Sequence, residues 1–116
     1  MSLHDRADFE AFIGSLRAAT LGEQWEAVVA KVGGKVFCLL GDDGKALVFK
    51  VSELAFDGLV ELPGIAQAAY FAKRQWVRVE PGALEEALLK GYIGQSYQAV
   101  AGKLTRKLRA ELGIAV

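Results

Sequence analysis

Basic side chains interleaved with aromatic ones make up the run Tyr70-Phe71-Ala72-Lys73-Arg74-Gln75-Trp76-Val77-Arg78, which stands above the chemical background of this chain. Cationic groups grip phosphate oxygens, and aromatic faces stack on nucleobases. Lys35, Lys73, Arg74 and Arg78 are the candidate phosphate contacts, and Trp76 is the candidate stacking platform. Lys31, Lys50 and the basic set from Lys103 to Arg109 extend the same surface. A structural reading competes for these residues: Tyr70 and Trp76 pack in a core or at an edge, and the cations form a solvated rim.

Other reactive residue types are sparse. His4 is the only histidine and lies close to the start of the chain, where a solvated side chain at a frayed end is expected. With no second histidine or cysteine near it, a His/Cys zinc site cannot be assembled. Cys38, the single cysteine, sits among apolar residues and reads as a buried, inert thiol with no disulfide partner. Asp42-Asp43 reads as a solvated turn rather than a cation loop. Glu85 and Glu86 are adjacent, which on a helix points their carboxylates apart. No nucleophile elbow, phosphate-binding loop or dinucleotide fingerprint occurs. No catalytic residue, metal site or cofactor is therefore expected.

Composition bounds the class. The 116 residues correspond to one domain, and 53% hydrophobic against 24% charged residues excludes a disordered chain. Apolar runs fall well short of the ~18 residues of a membrane span, and no secretory leader is apparent. A cytoplasmic, non-membrane protein is the expectation, as a monomer or homodimer. Fourteen basic residues balance fourteen acidic ones, which argues against a surface built wholly for nucleic acid. Their distribution is uneven. Residues 1–30 are acidic in balance, and residues 101–116 are basic, with Lys103, Arg106, Lys107 and Arg109 against Glu111 alone. That basic end suits either an anionic partner or neutralisation of the acidic start within one fold.

The elements that must position these residues follow from pattern. A first helix is expected over about Leu3–Ala19, with Phe9, Phe12, Ile13 and Leu16 on its apolar face and Asp5 or Asp8 as its cap. Leu21–Gln24 reads as a turn leading through Trp25 into a sheet. Three strands follow between Ala27 and Val51. Gly33-Gly34 makes a primed hairpin turn between the first two, and Gly41-Asp42-Asp43-Gly44 closes the second connection. Strict alternation puts Phe37 and Leu39 on one face with Leu47, Phe49 and Val51, and Val36, Cys38 and Leu40 on the other. A sheet apolar on both faces needs cover on both. Ser52 caps a short helix, Glu53–Leu62, whose Leu54, Leu59 and Leu62 turn inward. Ala68–Phe71 has some strand character, and Trp76–Glu80 alternates as an outer strand. Ala83–Leu112 reads as one long helix kinked near Gly91–Gly94. The order specifies an α+β domain over residues 1–116, an antiparallel β-sheet with helices packed on one face.

Three stretches resemble the signatures of the MmcQ/YjbR family, in order and spacing across about residues 25–108. They are Val32-Gly33-Gly34-Lys35-Val36-Phe37-Cys38-Leu39-Leu40; Pro63-Gly64 followed by Tyr70, Lys73-Arg74 and Trp76-Val77; and Ser96-Tyr97 with Val100 and Lys103-Leu104. The resemblance implies a frataxin/CyaY-like fold and carries the family's label of a "double-wing" DNA-binding protein, a label that rests on fold analogy. DNA, held weakly and without sequence preference, is thus the leading expected partner. The alternative is a protein-interaction or regulatory module with a protein partner. A frataxin-like metal binder ranks lower, because Asp5, Asp8 and Glu10 make a sparse acidic ridge, and an enzyme ranks last.

Overall fold

The computed structural model describes residues 2–42 and 45–114. Helix α1 (Arg6–Gly14) leads into four successive antiparallel strands, β1 (Thr20–Gln24), β2 (Ala27–Val32), β3 (Lys35–Gly41) and β4 (Leu47–Lys50). Helix α2 (Glu53–Leu59), strands β5 (Ile65–Gln67) and β6 (Trp76–Val79), and helices α3 (Glu86–Ala101) and α4 (Arg106–Leu112) complete the order. The sheet is antiparallel throughout, in the order β1-β2-β3-β4-β6-β5. Leu21–Gln24 is thus an edge strand rather than a turn. All five β1 residues are exposed, so no apolar alternation marks it in the sequence. Strand β6 is not outermost, because β5 pairs along its far side, and residues 70–75 form turns where strand was expected from Ala68.

Gly33 and Gly34 form the β2–β3 turn with φ of +60° and +80°. The expected closure of the next connection by Asp43 and Gly44 lies outside the described residues. Between Ala30/Lys31 and their partners the β2–β3 register shifts: Ala30 pairs with Cys38 and Lys31 with Val36, so Phe37 is an extra residue on β3. This bulge breaks strict alternation. Phe37, Cys38 and Leu40 all enter the main core beneath the helices, whereas Val36 and Leu39 face outward. The expected pairing of Phe37 with Leu39 on one face is therefore corrected, while Leu47 and Phe49 do share the Phe37 side.

The main core lies between the sheet and the helices, with Phe9, Ile13, Phe37, Phe49, Leu89 and Ile93 all fully buried. The opposite face carries a smaller apolar layer, in which Ala27, Val29, Leu39 and Val48 meet Ala68, Phe71 and Trp76. The segment after β5 supplies this cover, and the ring centroids of Phe71 and Trp76 are 4.5 Å apart.

Helix boundaries follow local chemistry. Ser52 caps α2 by accepting from the Ala55 amide at 3.1 Å, which places Phe56 and Leu59, rather than Leu54, against the core. Leu54 and Leu62 are exposed. Helix α1 is shorter than expected and ends at Gly14; Asp5 occupies its N-cap position without a side-chain bond. The long C-terminal helix is two helices. Gly91 and Gly94 lie within α3, and the break falls at Gly102–Thr105, where Thr105 starts α4 by accepting from the Leu108 amide. The buried stripe of α3 runs through Leu89, Ile93, Ser96-Tyr97 and Val100, leaving Leu88 exposed. Leu3 and His4 are not frayed either. Leu3 is fully buried, and the buried His4 donates from Nδ1 to the Lys45 carbonyl at 2.8 Å.

These placements separate three glycines by function. A Cβ at Gly33 would meet the Leu104 side chain at 2.6 Å on a left-handed backbone, whereas at Gly34 it would meet nothing within 4 Å. Gly33→Ala is expected to lower stability by about 2–3 kcal/mol and Gly34→Ala by about 1 kcal/mol. Gly91 sits mid-helix with open space around it, so Gly91→Ala should raise stability by roughly 0.5–1 kcal/mol. Urea unfolding of the three variants checks the order.

Candidate functional site

A cleft of about 460 Å³ opens where the end of β4 meets α3. Lys50 and Lys103 both line it, together with Ser52, Gln75, Tyr92 and Gln95. Strand β4 delivers Lys50, and the turn that follows α3 delivers Lys103. Ser96 ties the Lys50 backbone to α3, its hydroxyl donating to the Lys50 carbonyl from the middle of the helix. The neighbouring Tyr97 hydroxyl donates to the Arg17 carbonyl at 2.6 Å, and its ring meets Phe37 edge-on at 5.5 Å. One Ser-Tyr step thus ties α3 to both ends of the first half of the chain. Tyr92 stacks on Phe49 at 6.2 Å and forms a rigid wall. Lys50 Nζ is held by Gln75 Oε1 at 3.1 Å and lies 5.7 Å from the Trp76 ring centroid. Glu53 also reaches the cleft, but its carboxylate is engaged by Arg74 at 3.1 Å.

The structure distributes the sequence-predicted site residues unevenly. Lys35 is exposed at the start of β3, on the hairpin that rests on Leu104 next to Lys103. Lys73 and Arg74 are exposed on the turn before β6. Arg74 is ion-paired to Glu53 and, at 2.7 Å, to Asp57, which raises its already high pKa. Arg78 faces the outer side of the sheet and pairs with Glu80. Trp76 is only 9% exposed and covered by Phe71, so its ring supports Lys50 instead of presenting a free stacking face. Residue chemistry in the sequence read Ser52 only as a helix cap, passed over Gln95, and treated Lys50 and Lys103 only as extensions. No linear signal joins these positions, because the fold brings a strand end and a helix end together across more than 50 residues of chain. Among the described residues, no three His, Cys, Asp or Glu side chains gather as a metal site would require. Cys38 is fully buried, and desolvation pushes its thiol pKa far up. No helix of the described residues is long and apolar enough to cross a membrane.

A family model described as YjbR matches residues 14–99. Among solved structures, the chain is similar to a Deinococcus radiodurans protein with a DUF419 domain, at 25% identity and a TM-score of 0.83, over 95% of this chain and 88% of that one. It also resembles in fold a Pseudomonas syringae protein, at 19% identity and a TM-score of 0.68, over 83% of this chain and 98% of that one. No curated protein matches.

Two like charges share the cleft. Desolvation lowers the Lys50 pKa from its ordinary value of 10.5, and the Lys103 charge lowers it further. Both causes penalise the ammonium in the folded state. An anion placed between the two lysines reverses the second. Because the folded value lies below the unfolded one, this penalty is present at neutral pH. It disappears as pH climbs through the folded pKa toward the ordinary lysine value, so Lys50 makes stability rise with pH in that alkaline window. Lys103→Gln is expected to move the Lys50 titration upward, short of the ordinary value because desolvation is the larger cause. Carbon-13 NMR of the lysine ε-methylenes against pH measures the shift.

Proposed function

The chain belongs to the YjbR family, and on that premise we propose that it is a weak, sequence-indifferent DNA-binding module that reads phosphate at the Lys50–Lys103 end. The observation that carries this reading is the pair of lysines lining one cleft, where Glu53, the carboxylate at its rim, is already turned to Arg74. Two ammonium groups held together in water repel; a bridging phosphate oxygen converts that repulsion into attraction. Gln75, Gln95 and Ser52 line the same cleft and can donate hydrogen bonds to such an oxygen.

The candidate residues from the basic-aromatic run take graded roles. Lys35 and Lys73, both exposed, extend the phosphate track on either side of the cleft. Arg74 and Arg78 exchange exposed carboxylate partners for phosphate, and exposed ion pairs of this kind are easily surrendered. Trp76 acts from beneath by holding Lys50 in place. Zero net charge keeps long-range attraction small, so affinity comes from local contacts and is low.

Fluorescence anisotropy of a labelled DNA duplex, titrated across a series of salt concentrations, tests the proposal. Each neutralised phosphate contributes a log–log slope of about −0.9, so three or four lysine contacts give a slope of about −3 or steeper. The double variant Lys50→Gln/Lys103→Gln should reduce the steepness by about 2. An unchanged slope removes the cleft from the interface. A flat titration at low salt removes DNA binding itself and leaves a protein partner as the reading to pursue.

A further inference from the structure

The outer face of the sheet holds a second cavity, remote in character from the lysine cleft. It measures about 600 Å³ and is lined by Trp25, Ala27, Leu39, Ala69, Tyr70 and Phe71. That volume falls within the range of small-molecule sites, and such sites are mostly apolar. None of the six lining residues is charged. Charge enters in two adjoining pockets: one of about 230 Å³ brings Glu26 and Arg78, the latter already paired with Glu80, and one of about 220 Å³ on the other side of Trp25 brings Arg6, Glu23 and Asp42, with Arg6 already paired to Glu23.

Two features set this groove apart from an incidental apolar dent. Trp25 is 69% exposed and Tyr70 fully so, yet both are large aromatics that ordinarily seek burial. Both also stand on left-handed backbone, at φ +54° and +70°. Trp25 and Glu26 fill the two positions of the β1–β2 turn with φ of +54° and +56°, where glycine or asparagine is the low-energy choice. Backbone held in such conformations persists where the surrounding structure imposes it, and it points to a use for the side chain. The floor, by contrast, is small and fixed. Ala27 and Leu39 are buried, and Phe71 is braced on Trp76. Alanine at the buried position 27 leaves depth that a larger side chain would fill, while Ala69 is exposed at the rim.

We propose that this outer-face groove is a binding site for a small, flat, uncharged aromatic compound, taken between Trp25 and Tyr70 above Ala27 and Leu39. Aromatic rims on an alanine-floored slot suit ring stacking and edge contacts. The uncharged lining disfavours an ionic ligand, whose desolvation no group here would offset. This site is independent of the DNA reading, because it uses the opposite character of surface and none of the cleft lysines.

The uncharged probe N-phenylnaphthylamine, whose emission rises in apolar surroundings, tests the site on the intact chain. Saturable binding at one site per chain is expected. Trp25→Gly and Tyr70→Gly each remove a rim and relieve a left-handed backbone, so they should weaken binding about fivefold while leaving thermal stability unchanged or higher. Leu54→Ala, at an exposed leucine outside the groove, should bind like the parent. Binding that fails to saturate, or that the glycine variants leave intact, overturns the proposal. Sedimentation showing a dimer that Trp25→Gly dissociates also overturns it, because the groove would then be a surface between copies.

Discussion

The ladder between β2 and β3 has one more residue on the β3 side, and the two-layer packing depends on that mismatch. Without the extra residue, Phe37 would share the face of Leu39 and lie outside the helix layer. With it, Phe37 and Cys38 both turn inward, and Phe37 meets the Tyr97 ring. The bulge therefore supplies the knob on which α3 settles. It also leaves Val29, Leu39 and Val48 as an unbroken row across the outer face, since these residues pair in sequence across β2, β3 and β4. One local irregularity thus sets up both apolar surfaces.

Helix α3 then transmits that placement to the charged end of the molecule. Ser96 and Tyr97 spend their hydroxyls on carbonyls 33 residues apart in sequence, at Lys50 and Arg17. Burial leaves the Tyr97 phenol with a raised pKa, partly offset by Arg17, so it remains a donor at neutral pH. Its neighbour fixes the end of β4, and with it the Lys50 backbone. A polar contact inside the core thereby anchors the backbone of a residue whose charge lies outside it. The Gly-Gly hairpin serves the same arrangement from the other side, since only an absent side chain at Gly33 lets the turn rest against Leu104.

What was legible in the sequence was chiefly what rests on turn chemistry and capping. Gly33-Gly34 marks its turn by backbone preference and Ser52 its helix start by side-chain capping, and both hold; α2, expected to run to Leu62, ends earlier, at Leu59, and Pro63-Gly64 instead precedes β5. The alternation expected of Trp76–Glu80 also holds, with Val77 and Val79 inward and Trp76 outward. Features that depend on partners were not legible. Strand β1 has no buried side chain to announce it. The bulge at Phe37 preserves residue types while changing their direction. The division of the C-terminal helix was signalled by Thr105, but the continuous apolar spacing through Leu104 and Leu108 masked it. Trp76 looked equally suited to stacking or burial, and only the overlying Phe71 distinguishes the two. The cleft joins Lys50 to Lys103, a juxtaposition that no local pattern encodes.

The two edges of the sheet are unlike each other. Strand β5 is three residues long, too short to template another strand, whereas β1 presents five exposed residues on an open ladder. Arg6 lies across that side, bridging Glu10 and Glu23 at 2.9 and 2.6 Å. Its guanidinium is the charged guard of an otherwise available hydrogen-bonding edge. A strand added to this sheet would therefore meet β1 first, and the ionic strength that screens the Arg6 pairs would govern its access.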